Sequence, residues 1–427
     1  MLDIKFIREN KEIVAQGAKK KHLAVDLDKL LSLDDERLKI LKEIEDLRSQ
    51  VNRVSRDIAQ SQDSALKVEL IEEMRVVKES IRTKETKLRD ILEKWRELML
   101  AVPNVPDIST PEGESDAENV EVRNFGEKPN FSFTPKNHVQ ILEDLDIGDL
   151  ERGAKVSGFR GYFMKNDGVL LFFALWQYFL DYFLKEGYIP MIVPSLLRKE
   201  ALLGTGYLPQ GEADLYRTQD GEYLAGTAEV AMMSYYSGEI LTKDQLPKKF
   251  IAFSPCFRRE AGAHGKDIRG IIRVHEFFKL EQVILCEASH ELSVKLHEEI
   301  TAHVEHLMQE LGIPYRVVAN CGGDLGLGQV KKYDIEAWMP SEGKYRETHS
   351  SSYFHDFQTR RLNIRYKDAD GKNKYAHSLN NTAVATSRLP AAILENYQEE
   401  DGRVRIPQVL RRFMGGKEYI EKPENLG

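Results

Sequence analysis

Arg258 and Glu260 stand two apart at the end of an otherwise apolar run, KKFIAFSPCFRREAG (248–262), in which Ile251 and Phe253 alternate. Residues i and i+2 of a strand share a face, so this spacing points a cation and a carboxylate the same way. A second run, IRGIIRVHEFFKLEQVILCE (268–287), carries Arg273, Phe277 and Glu281; Phe277 and Glu281 fall on one face, with Phe278, Leu280 and Ile284 on the other. Joined by the loop AGAHGKDIRG (261–270), the two runs read as a hairpin with charge on one face. Charge that faces a core is expensive without a partner or a ligand. The pattern therefore means structural ion pairs or a site for a polyanion. Two further segments look alike: LAGTAEV (224–230) places Thr227 and Glu229 two apart, and YRETHSSSYFHDFQTRR (345–361) carries Glu347 and Ser350. One carboxylate with hydroxyl oxygens is a hard donor set of the kind that holds Mg²⁺ through a nucleotide's phosphates.

Other chemistries find less support. GAHGK (262–266) lacks the spacing and the following Ser/Thr of a P-loop, and GGDLGLG (322–328) follows no strand–helix dinucleotide fingerprint. His297, His303 and His306 share a helical stretch without a further ligand type at metal spacing, and no G-x-S-x-G elbow is present. Cys256, Cys286 and Cys321 are odd in number and widely spaced, which argues against a disulfide framework or a cysteine zinc site and suits a reducing cytoplasm. With 61 Lys+Arg against 69 Asp+Glu the net charge is −8, so bulk positive charge cannot coat a nucleic acid and any such contact must be local.

The elements that would position these residues fall into three regions. Ile40, Ile44, Leu47, Val51, Val54 and Ile58 step by four and three, as do Leu70, Met74, Val77, Ile81, Lys84, Leu88, Ile91, Trp95 and Leu98. That 3.5-residue period is a coiled coil, and the short polar turn QSQDSA (60–65) folds its helices back as an antiparallel pair. At ~1.5 Å per residue the longer helix spans roughly 40 to 50 Å, a projecting arm. From Leu38 to Leu98 there are 14 Lys+Arg and 13 Asp+Glu, read either as a solvated face with i,i+4 ion pairs or as a rod that contacts phosphates. The Pro-rich stretch AVPNVPDISTPEGESDAENVEV (101–122) ends the arm, because proline fixes φ and stops helices. The remainder alternates helix-like and strand-like segments as one large domain. Its most apolar segment, VLLFFALWQYFLDYFL (169–184), is interrupted by Gln177 and Asp181 and is shorter than the ~20 residues of a bilayer span. A buried or interfacial helix is expected there. The opening MLDIKFIRENKE lacks the apolar run of a signal peptide.

Taken together, these features resemble the seryl-tRNA synthetases, class II aminoacyl-tRNA synthetases, over essentially the whole chain. The likeness includes the coiled-coil arm, the PNVPD linker opening, and three motif regions in order: GYIPMIVPSLL with Pro194, FRRE through RVHEFFKLE, and SLNNTAVATSRLPAAILENY. GTAEV and YRETHSS match the seryl branch. The resemblance implies an α+β chain divided into an N-terminal helical domain with a tRNA-binding arm (1–100), a Pro-rich linker (101–132) and a class II catalytic domain (133–427). That catalytic domain is expected to be built on an antiparallel six-stranded sheet flanked by helices, in a cytoplasmic homodimer with no membrane association. It implies a serine–tRNA ligase: L-serine and ATP give seryl-adenylate and pyrophosphate, and serine then passes to the 3′ end of serine tRNA, with selenocysteine tRNA a further candidate acceptor.

By the same resemblance, Arg258, Arg388 and Glu347 are the catalytic set. ATP would be held by Arg258, Arg259, Glu260, Arg273, Val274, Phe277, Glu347, Thr348, His349, Ser350 and Arg388. Glu260 would read the adenine amino group, Phe277 would stack on the ring, and Arg273 and Arg388 would hold the outer phosphates. Glu347 and Ser350 would ligate Mg²⁺. Serine would be held by Thr227, Ala228, Glu229, Arg258, Glu281, Asn380 and Thr382, with Glu281 and Thr382 on its hydroxyl. Arg48, Arg53, Arg56, Arg75, Lys78 and Arg82 are the candidate tRNA contacts. The chain departs from the family pattern at Asn381, Ala383 and Ser387, where glycines are usual, so a tighter pocket is expected there; Arg259 stands where a small residue is more usual. Two alternatives remain at this stage: an amino-acid ligase that loads a carrier protein, and a non-catalytic tRNA-binding paralogue.

Overall fold

The computed structural model describes residues 1–262, 265, 267 and 269–423. Part of the 261–270 loop, including most of GAHGK, lies outside the described residues. The chain divides into two compact units, one made of Leu2–Lys19 and Leu23–Pro103, the other of Met1, Lys20–His22 and Asn104–Gly427.

The first unit is dominated by two long helices, α1 (Leu27–Gln60) and α2 (Ser64–Ala101). Asp26 caps α1 by accepting from the Lys29 amide, and Asp63 caps α2 by accepting from the Ala65 and Leu66 amides. The heptad residues meet as the spacing predicts. Ile40, Ile44 and Ile91 are buried together, with Leu33, Ile81 and Leu88 packed against them. Lys84, the polar member of the seam, pairs with Glu43 across the helices, as Lys87 does with Glu36 and Arg48 with Glu85. The helices are longer than the seam alone indicates: α1 starts 13 residues before Ile40, and the 38 residues of α2 span roughly 57 Å at 1.5 Å each.

The second unit is built on one sheet of eight strands: β1 (Val120–Phe125), β2 (Ile189–Ile192), β3 (Lys248–Phe257), β4 (Glu276–Cys286), β5 (Tyr315–Ala319), β6 (Lys331–Met339), β7 (Lys344–His355) and β8 (His377–Ala385). Their spatial order is β1-β5-β6-β7-β8-β4-β3-β2. The six from β5 to β3 form an antiparallel core, which is the sheet the resemblance implies. Two edge strands extend it: β1 pairs antiparallel with β5, and β2 pairs parallel with β3. β2 comes from the Pro190 segment, whose proline cannot donate to a ladder and so favours an edge.

Strand alternation sorts the sheet into two faces. Leu280 and Ile284 of β4 join the main hydrophobic core with Leu171, Leu175 and Phe179 of α3 (Asp167–Lys185) and Leu296, Ile300 and Val304 of α5 (His290–Glu310). The apolar segment expected to be a buried helix is thus α3, with one side in this core. The other face, carrying Phe277, Lys279 and Glu281, is left for a cavity. Its far end is closed by Met232 and Met233 of α4 (Ala228–Ser234), packed on Val283 and Leu285.

Candidate active site

Two adjoining cavities lie on that face. The larger, about 400 Å³, is lined by Thr227, Glu229, Arg258, Lys279, Glu281, Glu347, Ser350, Asn380 and Thr382, with contributions from 205–211 and 326–329. The smaller, about 90 Å³, is lined by Glu260, Arg273, Val274, Phe277, Thr348, Ser387 and Arg388. Arg258, Lys279, Glu347 and Thr382 border both.

β4 supplies the floor. Phe277, Lys279 and Glu281 follow one another at intervals of two, so the pleat aims all three at the cavities. Lys279 and Glu281 are almost wholly buried and paired with each other, and the Lys279 ammonium also donates to Thr227 Oγ1 at 2.8 Å. Thr382 sits directly across the ladder from Glu281 and is hydrogen-bonded to it. Burial pushes the Glu281 carboxyl up, against the pull of Lys279, Arg258 and Thr382. Glu229 is likewise pushed up by burial, and each of its carboxylate oxygens accepts one hydrogen bond: Gln358 Nε2 donates to one at 2.7 Å and the Tyr207 hydroxyl to the other at 2.9 Å.

Two bulges set the rest. Glu347 and Ser350 are three apart, an odd separation that plain alternation would send to opposite faces. In β7 the ladder slips so that Ile335 faces His349 while Glu336 faces Glu347, which inserts Thr348 as an extra residue and returns Glu347 to the face of Ser350. In β8 a second slip falls between Thr382 and Val384, so that Thr382 and Ala385 both border the cavities. Arg388, at the start of α6 (Arg388–Asn396), donates from Nη1 to the Glu347 carbonyl at 2.8 Å and pairs with its carboxylate at 2.9 Å. Burial would raise the Glu347 pKa, but Arg388, Lys332 and Arg258 outweigh it and hold the carboxyl at about 2, ionised at neutral pH. Behind it, the Asp334 carboxyl touches the Ser350 hydroxyl and the Lys332 ammonium; burial raises it to about 6.

Several local expectations are corrected. β3 ends at Phe257, so Arg258 and Glu260 are not strand neighbours. They meet the same cavity because Glu260 takes a left-handed φ of +55° that turns the chain, and its carboxylate pairs with Arg273 at 2.6 Å. Arg273 precedes β4 and is held by Glu260 and Asp267. GTAEV is not a strand either: Thr227 caps α4, accepting from the Glu229 amide at 3.3 Å. Asn381 does not tighten the pocket, because it points to the opposite face and donates to the Ile300 carbonyl of α5 at 2.7 Å. Arg259, Ala228 and His349 line neither cavity; Arg259 is exposed, and Ala228 and His349 are buried. All other site residues named from the sequence for ATP, serine and metal border one cavity or both. The sequence reading missed Lys279, Tyr207 and Gln358. For Lys279 the signal was present, since it shares the alternation of Phe277 and Glu281.

The arrangement can hold a polyanion beside a small zwitterion. The Arg258 guanidinium lies 5.2 Å over the Phe277 ring, and its Nε donates to the Gly226 carbonyl at 3.2 Å. Arg258 borders both cavities, a place from which a guanidinium can bridge two anions. Of the six basic residues picked out on the arm, all are exposed; Arg48 and Arg75 pair with Glu85 and Glu72. Arg75, Lys78 and Arg82 stand at i, i+3 and i+7 and share one face of α2.

A family model of the seryl-tRNA synthetase N-terminal domain matches residues 1–106, and one of the class II tRNA synthetase core domain (G, H, P, S and T) matches residues 215–397. The serine–tRNA ligase of Deinococcus radiodurans is 43% identical over 424 residues, covering 99% of this chain and 100% of that protein. That of Thermodesulfovibrio yellowstonii is 45% identical over 421 residues, covering 97% and 99%. Among solved structures, a seryl-tRNA synthetase from Pyrococcus horikoshii complexed with ATP is similar with a TM-score of 0.91 at 39% identity, covering 99% of this chain and 100% of that one.

Proposed function

The chain belongs to the seryl-tRNA synthetase family, and from that premise we propose how its two cavities divide the work of a serine–tRNA ligase. The reaction has two steps. The carboxylate of L-serine attacks the α-phosphate of ATP, forming the mixed anhydride and expelling pyrophosphate. A terminal ribose hydroxyl of serine tRNA then attacks the carbonyl carbon and AMP leaves. The observation that carries the assignment is the shared border of the cavities, where Arg258, Lys279, Glu347 and Thr382 meet both.

In this reading the smaller cavity takes the nucleotide. Phe277 offers a ring to the adenine, Glu260 an acceptor to its amino group, and Arg273 and Arg388 charge to the outer phosphates. Arg273 must then leave at least one of its present carboxylate partners. The larger cavity takes serine: Thr227 and Glu229 on the ammonium side, Glu281 and Thr382 on the hydroxyl. Arg258, between them, aligns the serine carboxylate with the α-phosphate and neutralises charge as it builds there. Neither step needs a strong side-chain nucleophile. The Glu347 carboxylate, ionised and on one face with the Ser350 hydroxyl, fits Mg²⁺, which takes hard oxygen donors and completes its shell with phosphates and water. Bound there, the ion would neutralise phosphate charge.

The arm supplies the tRNA contact through Arg75, Lys78 and Arg82 of α2 with Arg48, Arg53 and Arg56 of α1, a backbone grip that needs phosphates more than base edges. A homodimer follows from apolar side chains left exposed on the catalytic unit: Val156, Phe159 and Phe163, Leu170 and Phe173 of α3, and Ile189 and Ile192 of β2, the last 86% exposed. Three buried, unpaired thiols suit the cytoplasm. Incubation with serine, ATP and serine tRNA tests the reading: it predicts AMP and an alkali-labile serine ester on the 3′-terminal ribose. Adenylate without charged tRNA, or transfer to a carrier protein instead, would overturn it.

A further inference from the structure

Gly326–Gln329 wall the larger cavity, and every carbonyl of that loop is tied down. Lys21 Nζ donates to the carbonyls of Gly326 and Leu327 at 3.0 Å each and of Gln329 at 2.6 Å. Asn104 takes the remainder, its amide donating to Leu327 O at 2.9 Å and its Nδ2 to Gly328 O at 3.0 Å. An ammonium has three N–H donors, and here each has a carbonyl. The loop is tied to the cavity as well: Gln329 Oε1 accepts from the Gly326 amide, and its Nε2 donates to the hydroxyl of Ser352, another cavity residue. The approach is close, since a Cβ on Gly322 would lie 2.1 Å from the Lys20 carbonyl oxygen. The glycine-rich GGDLGLG stretch is therefore explained as the seat of Lys20 and Lys21, and not as a phosphate loop.

Lys21 is 3% exposed and has no carboxylate partner among the described residues. Burial lowers its pKa to about 7, so the fold carries a costly cation at this place. We infer that Lys21 is a positioning residue of the serine site: by fixing three carbonyls of the 326–329 loop it sets the wall against which the amino acid is held. The inference rests on the assignment of the larger cavity to serine.

Full-length Lys21→Met and Lys21→Gln test it by serine-dependent ATP–pyrophosphate exchange. Lys21→Met should raise the KM for serine about fivefold or more while the KM for ATP stays within about twofold. Lys21→Gln, which keeps two donors, should fall between wild type and Lys21→Met. A serine KM within about twofold of wild type in a folded variant would overturn the inference, and so would serine and ATP KM values rising together, the mark of general loosening. If Lys21→Met does not fold, Lys21→Gln decides on the same criteria, and Asn104→Ala, which frees the Gly328 carbonyl, should show the same split. If the wild-type protein exchanges with another amino acid and not with serine, the cavity assignment fails, and the role of Lys21 is then read with that amino acid.

Discussion

In the proposed division of the site, Glu281 carries the choice of amino acid. It is buried, paired with Lys279 and hydrogen-bonded to Thr382, so a serine hydroxyl arriving there meets a prepared acceptor. Alanine cannot donate to that carboxylate, and a hydrogen bond to a charged group is worth about 1.5–3 kcal/mol, roughly ten- to 150-fold in discrimination. Glu281→Gln should therefore lower kcat/KM for serine by at least about tenfold with ATP affinity nearly unchanged, read by pyrophosphate exchange and nucleotide titration. Normal serine activation by the variant would remove that role. Lys279→Met should cost more, since it strips the partner from a buried carboxylate, and its thermal midpoint should fall with its activity. At this scale the sequence was informative where alternation holds: Phe277 and Glu281 declare themselves by polar residues at even spacing in an apolar run. Lys21 does not, because it follows Lys19 and Lys20, and three consecutive lysines read as solvated charge.

The elements were legible in kind and less so in their irregularities. Heptad spacing is a local property, so α1 and α2 and the turn between them follow from the chain alone. The bulges in β7 and β8 do not, because an inserted residue shows only in the register against a neighbouring strand. For the same reason the sequence could name Glu347 and Ser350 but not why they share a face. GTAEV read as strand-like through its small residues, although Thr227 is also a sound N-cap. The arm has a separable role in this account. Deleting residues 38–98 should leave adenylate formation intact and abolish tRNA charging, and charging retained by the deletion would contradict it. A milder test is Arg75→Ala, Lys78→Ala and Arg82→Ala together. That variant should raise the KM for tRNA by about tenfold or more with serine and ATP kinetics unchanged, and should flatten the salt dependence of tRNA binding.

Over the whole molecule, the antiparallel six-stranded core was anticipated, and the two edge strands that make eight were not. Edge pairing depends on segments distant in sequence: β1 joins β5 across 190 residues, and β2 joins β3 in parallel. Three histidines of the catalytic unit, His297, His355 and His377, are each lowered by burial to about 4 from an ordinary value near 6.5. Between those values the unfolded chain binds protons that the native protein does not, so stability falls as pH drops from 6.5 toward 4, by up to about 1.4 kcal/mol per pH unit for each histidine. The urea midpoint should decline over that range, and His297→Asn should reduce the slope; a midpoint that rises on acidification would contradict the burial argument. In solution the particle should have twice the 49.0 kDa chain mass, and Ile192→Asp, at the exposed edge, should shift it toward monomer. Sedimentation of wild type as a 49.0 kDa species at micromolar concentration would remove the dimer.

The central claim is that the paired cavities bind ATP and serine and join them without help from tRNA. Amino-acid-dependent ATP–pyrophosphate exchange, run without tRNA on serine, alanine, threonine and glycine, tests it most directly. The account predicts exchange with serine alone, alanine failing for want of a hydroxyl and threonine for want of room for its methyl. Absence of exchange in a folded protein, or exchange with alanine equal to that with serine, would contradict it.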